Sequence, residues 1–99
     1  MDNFTPLAYT GNLNATTTIT TQSFALAGGA KKLRCRNLDG TNYALVGFGA
    51  TAALAKTNAA DGMAVAKGEV EVWNIPTSAK HVAYLGDTGT VVLNFTQGT

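Results

Sequence analysis

The chain has 99 residues, 45% of them hydrophobic and only 13% charged, with a formal net charge of +1 at pH 7. That length suits one domain with one modest core, and the charge balance excludes nucleic-acid binding driven by charge. No apolar run approaches the roughly 18 residues of a membrane span, and Met1-Asp2-Asn3-Phe4-Thr5-Pro6 has neither the basic nor the apolar part of a signal peptide.

The first fourteen residues carry Phe4, Pro6, Leu7 and Tyr9 and read as an extended arm, expected to reach an adjacent subunit. Residues 15–26, ATTTITTQSFAL, are rich in β-branched Thr and Ile, which favour a strand, and Gly28-Gly29 ends the run. Leu33, Cys35 and Asn37 alternate with Lys32, Arg34 and Arg36, the period of a strand with one wet face. Asn37-Leu38-Asp39-Gly40-Thr41 is a turn signal, so a strand over 42–48 is expected to form a hairpin with the one before. Ala50 to Ala60 is Ala-rich and reads as two turns of helix or a long loop, a place for contact with a neighbour. Asp61-Gly62 and Ala66-Lys67-Gly68-Glu69 are turns. Glu69 to Ile75 alternates again until Pro76. Residues 80–85 and 90–96 are expected to form a final hairpin across Gly86-Asp87-Thr88-Gly89. Six or seven short strands between turns imply an antiparallel sandwich or barrel.

Gly47-Phe48-Gly49-Ala50-Thr51-Ala52 fits G-x-G-x-x-A, with Glu69 twenty residues after Gly49, but a dinucleotide site needs a β-α-β unit of about 30 residues. The helix candidate here is too short and the strand before it belongs to an expected hairpin. The two glycines are read instead as easing a strand end, a bulge or close backbone packing. His81 is the only histidine, and neither Ser23 nor Ser78 sits in a nucleophile elbow. Glu69 and Glu71 share a strand face, as glycosidase carboxylates can, without a sugar-binding set beside them, and read as a solvated edge. Cys35 stands alone, which removes disulfides and Cys-based metal sites and favours a buried thiol. No catalytic, cofactor-binding or metal-ligating residue emerges. Arg34 and Arg36 point the same way from their strand, a stripe suited either to docking an acidic surface or to protecting an edge. Trp73 reads as a core residue or an interface anchor.

The run from Leu33 to Thr96 resembles small tailed-bacteriophage virion proteins encoded near head genes. The likeness rests on Leu33-Arg34-Cys35-Arg36-Asn37, Asp39-Gly40-Thr41-Asn42, Ala44-Leu45-Val46-Gly47-Phe48-Gly49 and Gly62 to Val72. It continues through Ile75-Pro76, His81-Val82-Ala83-Tyr84-Leu85-Gly86 and Thr90 to Thr96. The resemblance implies a capsid decoration, or cement, protein without enzymatic activity, built as a β-sandwich. Its expected form is an antiparallel, jelly-roll-like sandwich over 15–99, an extended arm over 1–14, and at most one short helix near 50–60. The expected partners are the major capsid protein and further copies of the chain, a trimer being favoured over a dimer, with no nucleic acid and no membrane. Its expected place is the virion surface, after synthesis in the host cytoplasm. Candidate interface residues are Phe4, Leu7, Tyr9, Arg34, Arg36 and Trp73. The resemblance leaves open a head–tail connector or tail-associated module, or a displayed receptor- or glycan-binding module.

Overall fold

Short β-rich runs, several with apolar and polar residues in alternation, form eight strands among the described residues. The computed structural model describes residues 6–15, as backbone, together with 22–86 and 91–98. In chain order these are β1 (Pro6–Ala15), β2 (Gln22–Ala25), β3 (Lys32–Asn37), β4 (Ala44–Gly49), α1 (Ala52–Ala60), β5 (Met63–Val65), β6 (Val70–Asn74), β7 (His81–Gly86) and β8 (Val91–Gly98). They form two four-stranded antiparallel sheets, ordered β1-β8-β3-β6 and β2-β7-β4-β5.

Both expected hairpins are corrected. β3 pairs with β6 and β8, whereas β4 pairs with β5 and β7 in the other sheet. β7 and β8 likewise lie in different sheets, and Asp87 to Thr90 between them lie outside the described residues. The physical reason is in the β3–β4 connection, which is long enough to cross the roughly 10 Å between stacked sheets and is fastened there by Asn37. That side chain is wholly buried. Its Nδ2 donates to the Asn42 carbonyl and to the Val65 carbonyl on β5, each at 3.0 Å. Its Oδ1 accepts from Asp39 N–H at 2.9 Å. The turn residues read from the sequence thus bend the chain between layers instead of within one. β5, which sequence reading missed, has only three residues and is set in register by β4.

The core between the sheets holds Leu33, Cys35, Leu93 and Phe95 from one sheet against Val46, Val65, Val82 and Tyr84 from the other. Phe95 stands edge-on to Phe24 at 5.2 Å and tilted to Tyr84 at 5.3 Å between ring centroids, geometries that aromatic quadrupoles favour. Gln97, the second buried polar side chain, accepts at Oε1 from Ala27 N–H at 2.6 Å. It joins β8 to the segment after β2 at the end of the sandwich away from Asn37.

Within the Ala-rich run, Ala52–Ala60 is a helix. Thr51 Oγ1 caps it by accepting from Leu54 N–H at 3.1 Å. Ala55 and Ala59, one turn apart, are fully buried against Ala83 and Leu85. Their seat is glycine: a Cβ on Gly47 would lie 2.7 Å from Ala59 Cα, and one on Gly49 would lie 2.8 Å from Ala55 Cα. Close backbone packing is found at both glycines of this G-x-G, and Gly49 is also the strand end. Asn58 Nδ2 adds a bond to the Phe48 carbonyl at 2.7 Å. No helix among the described residues is long and apolar enough to cross a membrane.

Two stability outcomes follow from these contacts. Gly47→Ala and Gly49→Ala each force a methyl group into the helix backbone and are expected to cost about 1–3 kcal/mol in urea unfolding, while Gly40→Ala, with open space around it, changes little. Asn37→Ala leaves the buried Val65 carbonyl without its donor, and its expected cost in the same measurement is about 2 kcal/mol.

Candidate interaction surface

A sheet in a sandwich has two faces, and the two sheets here treat their outer faces differently. That of β2-β7-β4-β5 lies under α1. That of β1-β8-β3-β6 carries no described element. On β3 the buried Leu33, Cys35 and Asn37 face inward, so Lys32, Arg34 and Arg36 face out. On β8 the half-buried Val92, Asn94 and Thr96 face out with them. Register places Val72 beside Arg34, and Arg34 beside Thr96; Val70 stands beside Arg36, and Arg36 beside Asn94. Val70 and Val72 are 41% and 42% exposed. The described part of this face therefore combines three cations, two exposed valines and no carboxylate.

The acids of the same region lie on the other side. Glu71 pairs with Cys35 across β3 and β6 and so shares the inward face, where the strand edge leaves it exposed. Trp73 pairs with Leu33. It is half-buried and edge-on to Phe48, with 6.4 Å between ring centroids, a position that packs its ring against the core margin. Burial pushes the Cys35 thiol up to about 12, with the Glu71 carboxylate adding and Arg34 partly offsetting.

The candidate residues from the sequence are partly gathered by this sheet. β1 is its outer strand, and Tyr9 is opposite Thr96, which is itself opposite Arg34. The backbone of 6–15, read as an arm, is extended and lies along β8 of the same chain. Phe4 lies outside the described residues, as do the side chains of Leu7 and Tyr9. Val70 and Val72 were missed, although the alternation Glu69-Val70-Glu71-Val72 held the signal.

Elsewhere the chemistry is sparse. An open cleft of ≈ 360 Å³ is lined by Leu26, Ile75 and Pro76 and by Lys31 and Lys80. His81 is half-buried on β7, opposite Ala25 and Gly49. Among the described residues no three His, Cys, Asp or Glu side chains are grouped to hold a metal ion. The loop after β3 is rigidly tied. Asp39 accepts from Asn42 N–H at 2.6 Å and Thr41 N–H at 2.8 Å. These bonds hold its carboxyl below the usual range and present Leu38 and Tyr43, 40% and 48% exposed. No protein-family model, curated protein or solved structure matches the chain.

The thiol makes stability pH-dependent in a defined direction. Because folding favours neutral Cys35, the unfolded chain loses this proton first. The contribution is complete below about pH 9, the ordinary thiol value, and declines by about 1.4 kcal/mol per pH unit above it, towards about 12. Urea unfolding at pH 8 and pH 10 is expected to show a steeper alkaline loss for the native chain than for Cys35→Ala.

Proposed function

We propose that the protein is a non-enzymatic virion protein that binds the outside of a bacteriophage capsid and bridges its subunits as a homo-oligomer, a trimer in its favoured form. The observation that carries the reading is the outer face of the β1-β8-β3-β6 sheet, which no described element covers. It is a broad, regular surface on which Arg34 and Arg36 rise from β3 beside the exposed Val70 and Val72. A cement protein works by burying area on a partner, and this face offers apolar contact with a cationic fringe suited to an acidic shell. The resemblance to small head-associated phage proteins supports the same reading. Within the sandwich class we assign a jelly-roll winding, supported by strand orders 1-8-3-6 and 2-7-4-5. Eight-stranded rolls of this kind recur in viral capsid and lectin domains. The partner is then the major capsid protein, and the place is the virion surface.

The test is co-sedimentation of purified protein with heads that lack it. Saturable binding that weakens as salt screens the arginines is expected, with a gain in the heat resistance of the heads. Arg34→Glu with Arg36→Glu is expected to weaken binding about tenfold while leaving the fold intact. A protein that remains monomeric and leaves heads unbound at low salt rules the proposal out.

A further inference from the structure

Each sheet ends in two edge strands, and three of the four edges are blunted. β1 has register shifts between Pro6 and Ala8 and between Tyr9 and Gly11. β5 has three residues, and β2 has four. Short strands and bulges are the usual defences of an edge against pairing. β6 has neither: its five residues pair with β3 without a shift.

The hydrogen-bond phase of β6 is fixed at both ends. Ile75 N–H donates to the Lys31 carbonyl at 2.7 Å, and the Glu69 carbonyl accepts from Asn37 N–H at 2.9 Å. In an antiparallel ladder, bonding residues alternate. Glu69, Glu71, Trp73 and Ile75 therefore turn their backbone groups toward β3, while Val70, Val72 and Asn74 turn theirs outward. No described strand lies on that side. The open edge offers three N–H and three C=O groups in register. The side chains of those same residues lie on the outer face, and Glu71 lies on the inner one.

We propose that the β6 edge is a docking site for an extended segment of a partner protein in which basic residues alternate with β-branched apolar ones. An antiparallel strand would complete the ladder at Val70, Val72 and Asn74, the mode of strand addition. Its apolar positions then stand against Val70 and Val72, and its basic positions against Glu71 and Glu69. The same acids select against a second copy. Pairing two β6 strands about Glu71 sets this carboxylate against its own counterpart, and pairing them about Val72 sets it against the counterpart of Trp73, without a cation in either case. Cross-strand like charges and uncompensated carboxylates both oppose such pairing. This inference stands apart from the capsid reading, since it rests on the edge and not on the broad face.

The probe is the heptapeptide acetyl-Thr-Thr-Val-Val-Lys-Val-Lys-amide, titrated into the ¹⁵N-labelled full chain. Slowed exchange is expected at the Val70, Val72 and Asn74 amides, and unchanged exchange at Glu71 and Trp73. The same peptide with glutamate in place of lysine is expected to bind about fivefold more weakly, and Glu69→Lys with Glu71→Lys reverses that order. Val72→Pro removes only an outward N–H, a change edge strands tolerate, and is expected to abolish binding with the circular dichroism unchanged. Should the proline variant unfold, the preference reversal in the Glu69→Lys, Glu71→Lys double variant decides. Equal binding of both peptides overturns the proposal. So does full binding by a folded Val72→Pro, absence of shifts up to the peptide's solubility, or self-association through this edge without peptide.

Discussion

Two buried amides hold the sandwich together as a sandwich. A chain that changes sheets at most of its connections must carry polar backbone across the gap between layers, where water cannot satisfy it. Asn37 at one end and Gln97 at the other supply the missing partners, and no described buried side-chain N or O lacks one. In a low-dielectric interior, a satisfied polar network specifies one arrangement, because each alternative strands a donor or an acceptor. With Asn37 docked on β5, the phase of β3 is set, and with it the side of the sheet to which Arg34 and Arg36 point. β6 inherits its register from β3, so the exposed valines and the open backbone edge are downstream of the same amide.

The second constraint is steric. The helix approaches its sheet so closely that only glycine fits beneath two of its turns, at Gly47 and Gly49. Small residues on both sides of that contact give dense packing over a short helix that has little apolar side chain to bury. One sheet is thereby covered, while no described element covers the outer face of the other. The asymmetry gives the two sheets of a symmetric architecture different outer faces.

How much of this was legible beforehand varies with the kind of signal. β3 and β6 were readable because period-2 alternation is local, and the thiol of Cys35 was readable as buried for the same reason. β5 was not, since three residues carry no period. The helix was ambiguous because its buried positions, Ala55 and Ala59, do not stand out in an Ala-rich run; the glycines that receive them lie on a strand and look like strand-end punctuation. The two expected hairpins failed because Asp39-Gly40 and Gly86-Asp87 signal a bend without saying whether it stays within one sheet. That depends on where the Asn37 amide finds its acceptor, twenty-eight residues away on β5.

The sequence by itself determined the strand-rich class and the absence of strong charge, since composition and alternation act over neighbouring residues. Only the tertiary structure decided which strands pair, which sheet face stays open and which backbone groups of β6 point outward. Those are matters of register and layer, set by contacts between residues far apart in the chain, and no local pattern encodes them.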